Sequence, residues 1–222
     1  MSTPFAPRGH VDSAASCTIE RNTFDDTFFA IYLARTDGCV VRHNVVIGRP
    51  STETATGNAI HSWGSRNLTI EDNQVSGHRD GIYLEFTRHA AVRRNVSEKN
   101  FRYGLHFMYS DSSAYEGNTF RQNGSGVAVM YSHVVRMAQN HFLANRGATA
   151  YGLLLKEIAD VTLIGNDVTV RVLADLGGLY RLKTDERKKQ RGGCCGVESG
   201  HGLLLASAVL LFGTNVPERL IE

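Results

Sequence analysis

Proline and cysteine are scarce in this 222-residue sequence, at four each, and neither sign of charge dominates. Four cysteines in a chain this long make no disulfide framework of the kind that staples small secreted domains. A formal net charge of +2, with no stripe of Lys and Arg interleaved with aromatics, gives no footing for a nucleic-acid partner. The longest apolar run, residues 203–212, is about half the length that spans a bilayer as a helix, so it is no anchor by itself. The N-terminal MSTPFAPRGH lacks the basic-then-apolar order of a secretory signal. On that reading the protein is cytoplasmic or the chain begins inside a longer one.

What the sequence does have is a repeat. The segments GIYLEF, RYGLHFMYS, GVAVMYS and YGLLLKE begin at Gly81, Arg102, Gly126 and Tyr151, and each is a short apolar alternation with a glycine at or near its start. Their first inward aliphatics, Ile82, Leu105, Val127 and Leu153, stand 23, 22 and 26 residues apart. A second ladder keeps the same period: Asn22, Asn44, Asn73, Asn95, Asn118, Asn140 and Asn166 are separated by 22, 29, 22, 23, 22 and 26 residues. The 29 contains a polar insertion around residues 49–57. About 22 residues holding three short alternations is too little for a helix pair or a propeller blade, but it suits one coil of a parallel β-helix. Leucine-rich repeats share the period, yet their LxxLxLxxN pattern and helical segment are missing. The expected organisation is an N-terminal lead-in over 1–16, an all-β parallel β-helix over 17–166, and an irregular coil or tail over 167–222. In that tail residues 201–213 suggest a cap, and the adjacent Cys194 and Cys195 are too poorly spaced for a metal site.

A period of two assigns the core. The inward columns hold Cys17, Ile19, Phe24, Ile31 and Leu33 in the first coil, and Cys39, Val41, Val46 and Ile60 in the second. Later coils repeat them with Leu68, Ile70, Val75, Ile82 and Leu84, then Ala90, Val92, Leu105 and Phe107, and so on to Leu155. The asparagines read as structural, bonding turn amides and one another from coil to coil. Asn100, Asn123 and Asn145, each five residues further on, are expected at the next corner. Cys17 and Cys39 share one column and are expected as buried thiols, with a bond between adjacent coils as the alternative.

Function on a solenoid belongs to the outward columns. Along the third strand of each coil the outward residues are Tyr32, His61, Tyr83, His106, Ala128 and Leu154, and two residues on Ala34, Trp63, Glu85, Met108, Met130 and Lys156. Thioether and imidazole together favour Cu(I) over hard cations, so His106, Met108, Met130, His61 and Glu85 are the candidate metal ligands. Trp63, Tyr83 and Leu154 extend the strip into a surface suited to a protein partner. The competing class is a carbohydrate-binding or carbohydrate-cleaving β-helix, with Tyr32, Trp63 and Tyr83 stacking on sugar rings. Cleavage needs carboxylates facing one another across about 5–10 Å. Asp25 and Asp26 lie roughly 34 Å from the GHG at 200–202 at strand spacing, and Asp80 and Glu85 have no evident third partner.

NAIHSW, VSGHRDGIYLEF, NFRYGLHFMYSDSSAYEGNTF, NGSGVAVMYS and AYGLLLKEI, in this order and at coil spacing, resemble NosD, the periplasmic copper-binding family of nitrous oxide reductase maturation. The resemblance covers about residues 17–166. It implies a right-handed parallel β-helix in the periplasm, with no enzymatic activity of its own. It also implies work with the ATPase and membrane subunits of an ABC transporter, with nitrous oxide reductase and with a copper donor protein. It transfers no catalytic residues and assigns no metal ligands. Family members usually carry a signal peptide and further coils on both sides of the matching region.

Overall fold

The computed structural model describes residues 9–147, 151–170 and 180–183. Short strands recur three to a coil and stack into three parallel sheets. The first sheet contains Gly9–Asp12, Ile31–Ala34, Ile60–Trp63, Ile82–Glu85, Tyr103–Met108, Ser125–Met130 and Leu153–Lys156, in that order. The second runs from Thr18–Glu20 to Ala159–Ile164, and the third from Thr23–Asp25 to Asp167–Val170. The expected parallel β-solenoid of about 22-residue coils is therefore what the chain forms.

Register confirms the column assignment. Ile60, Ile82, Leu105, Val127 and Leu153 pair in sequence across the first sheet, as do Tyr83 with His106, Glu85 with Met108, and Met108 with Met130. The inward columns form one apolar core running along the solenoid, and Phe107 stacks on Tyr115 inside it. The insertion carries a short 3-10 turn, Glu53–Ala55, beside the first sheet.

The corners explain the asparagines. The residue before each one, from Arg21, His43, Asp72 and Arg94 to Gly117, Gln139 and Gly165, sits at φ between 52° and 64°, turning the chain while leaving the next amide unpaired. That amide donates to the Asn Oδ1 of the following coil at 2.9–3.0 Å from Asn22 through Asn140. From Asn44 onward each Asn Nδ2 reaches back to a carbonyl of the preceding coil, as Asn118 does to Val92 at 2.9 Å. Asn100, Asn123 and Asn145 form a second buried ladder, beginning at the His78 amide. A third corner uses hydroxyls: the amides of Thr36, Thr87 and Ser110 donate to Ser65, Ser110 and Ser132.

Two expectations need correction. Cys17 and Cys39 are joined in a disulfide rather than left as thiols, because parallel stacking sets their Cα atoms 4.5 Å apart. The lead-in is part of the solenoid from Gly9 onward, since Gly9–Asp12 pairs with Ile31–Ala34. Regular pairing also continues past residue 166, through Asp167–Val170, against which Tyr180–Lys183 runs antiparallel. The suggested cap, the GHG segment and Cys194–Cys195 lie outside the described residues.

Candidate functional site on the outward face of the first sheet

Glycine lets the coils approach closely at the start of the later strands of this sheet, at Gly81, Gly104, Gly126 and Gly152. A Cβ on Gly126 would stand 2.2 Å from the Gly152 carbonyl oxygen, and one on Gly81 would stand 2.0 Å from Ser97 Oγ. The next residue turns into the core, and the one after it turns out. That alternation places a ring column on the outward face: His10, Tyr32, His61, Tyr83 and His106, with successive centroids 5.3, 4.7, 4.8 and 4.7 Å apart.

His106 is on the predicted face but not on the surface. It is only 5% exposed, covered by Tyr83 and by Tyr103, whose ring centroid is 4.8 Å away. Its Nδ1 lies 3.5 Å from Asp80 Oδ2, and Asp80 is itself 2% exposed, also accepting from the Tyr103 amide at 3.2 Å. His106 Nε2 is buried with no hydrogen-bond partner. A carboxylate on one ring nitrogen fixes the tautomer that leaves a lone pair on the other, the usual arrangement behind a metal-binding or base imidazole.

Met108 and Met130 lie opposite one another in adjacent strands, both half-buried, with Glu85 in the same column one coil earlier. Met108 Sδ accepts a hydrogen bond of 3.7 Å from Tyr83 Oη. Burial first, then the negative charges of Glu85 and Asp80, push the Tyr83 phenol up to about 12, so it remains a donor. Tyr83 thus touches both predicted ligand types: its ring covers His106 and its hydroxyl caps the sulfur.

His61 does not join this group. Tyr83 stands between it and His106 in the column, and its polar contacts are different ones. His61 Nδ1 is 3.4 Å from Asn58 Nδ2, while Asn58 Oδ1 accepts from Arg79 Nη2 at 3.4 Å. Burial, followed by the nearby Arg79 charge, lowers its pKa to about 4. Among the described residues, no group of three or more His, Cys, Asp or Glu side chains is arranged to hold a metal ion. Of the predicted set, His106, Met108, Met130 and Glu85 are brought onto neighbouring positions and His61 is set apart.

The strip predicted for a partner is wider than Trp63, Tyr83 and Leu154. Trp63 is 36% exposed with Arg35 over its ring at 5.8 Å, while Leu154 is half-buried beside Ala128. Beyond them Phe86, Tyr109 and Tyr131 stack face to face at 5.1 and 5.0 Å, and Lys156 Nζ lies 5.6 Å from the Tyr131 centroid. These three occupy left-handed corner positions, φ 50–53°, just after the strands. The strand alternation does not reach them; their coil spacing, at 23 and 22 residues, is the signal that finds them. Because the rings cover one another's faces, they present edges to solvent and make a poor platform for stacking sugars.

Residues 46–176, more than half of the chain, match NosD, described as a periplasmic copper-binding protein. No curated protein matches the chain significantly. Among solved structures, a double mutant of the periplasmic alginate epimerase AlgG is similar at TM-score 0.56 and 22% identity, over 67% of this chain and 35% of the epimerase. A glycosyl hydrolase from Parabacteroides merdae superposes at TM-score 0.48 and 9% identity, over 62% of this chain and 74% of that one. The chain spans about a third of the epimerase, and at this identity the likeness is one of fold.

Proposed function

We propose, for a chain that belongs to the NosD family of periplasmic copper-binding proteins, that the outward face of the first sheet takes up Cu(I) as cargo through His106, Met108 and Met130. The observation that carries this reading is the buried, unpartnered Nε2 of His106, with Nδ1 facing Asp80. Imidazole nitrogen and two thioethers make a soft, uncharged donor set that suits Cu(I) and discriminates against hard cations. Asp80 orients the ring, and Glu85 adds negative charge at the edge of the methionine column. Tyr83 has to turn away from Met108 before the sulfur is free, so uptake and release are coupled to one side chain.

In this role the protein is a non-enzymatic accessory in copper-site assembly of nitrous oxide reductase, working in the periplasm. Trp63, Tyr83, Leu154 and the ring stack of Phe86, Tyr109 and Tyr131 form the docking surface. Its partners would be a copper donor, the reductase or the subunits of an ABC transporter. Polysaccharide cleavage is the weaker alternative, because Asp80 is committed to His106 and to the Tyr103 amide.

Replacing Met108 and Met130 together by leucine keeps the apolar area and removes both sulfurs. Competition titration with a Cu(I) chelator should then show at least a tenfold loss of affinity, with the fold unchanged by circular dichroism. Undiminished affinity in the double variant would assign the methionines to surface packing.

A further inference from the structure

One cluster on this face is left unused by copper chemistry. Arg79 makes no ion pair among the described residues, and its Nε is buried without a partner. His61 Nε2 is likewise buried and unpartnered. Both side chains meet at the Asn58 carboxamide. A guanidinium can only donate, so Arg79 fixes Oδ1 on its own side and turns the Asn58 amino group toward His61. His61 Nδ1 then accepts, and the neutral ring carries its proton on Nε2. Two side chains that flank one carboxamide therefore each keep a buried N–H donor without an acceptor, and buried donors of this kind normally have one.

We infer that Arg79 and His61 form a binding site for the carboxylate of a uronic acid unit in an acidic polysaccharide. The guanidinium supplies the charge and His61 a directed hydrogen bond. Arg102, stacked on Arg79 in the next coil through its amide at 2.8 Å, provides a second cation along the solenoid axis. Arg102 is shared with Glu53 at 3.8 Å and with Asp80 at 4.0 Å, so Arg79 carries the primary contact. The two arginines repeat at coil spacing, about 4.8 Å, whereas carboxylates on one side of an extended peptide repeat at about 6.6 Å. That spacing does not match the same-side carboxylates of an extended acidic peptide, and the aromatic neighbours of His61 favour a pyranose ring instead. Tyr32 and Tyr83, with centroids 4.7 and 4.8 Å from the His61 ring, give the site its apolar flanks.

The test is calorimetric titration of the full chain with trigalacturonate, maltotriose and triglutamate at low salt. Trigalacturonate should bind at least tenfold more tightly than maltotriose, and binding should weaken as salt rises. Arg79→Gln, at a half-exposed position outside the core, should lower that affinity at least tenfold, and the His61 Nε2–H resonance should shift on titration of the native chain. Equal binding of maltotriose, no binding of trigalacturonate, or an unaffected R79Q variant would overturn the site. Triglutamate binding as tightly as the sugar would overturn the uronate assignment. The double Met→Leu variant should keep its trigalacturonate affinity, so failure of the copper reading leaves this result intact.

Discussion

A single asparagine at a coil corner satisfies two backbone groups of the preceding coil. Asn118 Oδ1 receives the Asn95 amide at 2.9 Å, and its Nδ2 reaches the Val92 carbonyl at 2.9 Å. Asn118→Ala strands both groups in a buried corner, at roughly 1–3 kcal/mol each. Urea unfolding should register a loss of about 3 kcal/mol, and a loss below about 1 kcal/mol would mean that the ladder is ornamental. Buried histidines set the pH response at the same scale. Burial holds both His61 and His78 at about 4, below their ordinary value of 6.5. The unfolded chain therefore binds more protons between those values, so this stability is fully present above about pH 6.5 and is lost as pH falls toward 4. Thermal melting should show a steep fall in midpoint between about pH 6 and 4.5, on the order of 2 kcal/mol per pH unit with both rings contributing. His78→Gln should flatten part of that slope.

Strands of three to six residues have almost no stability alone; the column holds them. In the later coils of the first sheet the backbone approach at the strand start depends on glycine, most tightly where Gly126 faces Gly152. Gly126→Ala would drive a Cβ into the Gly152 carbonyl, and neither backbone can yield without shifting a coil. The expected cost is more than about 2 kcal/mol, read as a lower urea midpoint with the strand content preserved by infrared spectroscopy. The inward and outward assignment of these strands was legible in the sequence because a period of two leaves no freedom once Ile82, Leu105 and Val127 are placed inside. What lay beyond the period was not. Phe86, Tyr109 and Tyr131 sit in corners, where no alternation applies. The burial of His106 depends on Tyr103, three residues earlier in the same strand, and on Tyr83 one coil before it. Such cross-coil covering follows from ring size and rotamer, and residue spacing alone does not encode it. The Cys17–Cys39 disulfide was open for a similar reason: one shared column is compatible with thiols or with a bond.

Across the whole molecule, the solenoid turns a short local pattern into a long face on which distant residues become neighbours. Asp80 and His106 are 26 residues apart, and the stacking of two coils makes them a pair. The face carries two kinds of chemistry in adjacent positions: soft donors at His106, Met108 and Met130, and N–H donors at His61 and Arg79. The family, the repeat and the place of Tyr83 between His61 and His106 were visible in the sequence; the commitment of His61 to the Asn58 carboxamide was not, because that contact depends on rotamers. X-ray absorption at the copper edge of the Cu(I)-loaded protein tests the central claim most directly. One imidazole nitrogen and two thioether sulfurs around Cu(I) is the predicted shell, with the sulfur contribution gone in the double Met→Leu variant. A shell of nitrogen and oxygen alone, or a sulfur contribution that survives in that variant, would contradict it.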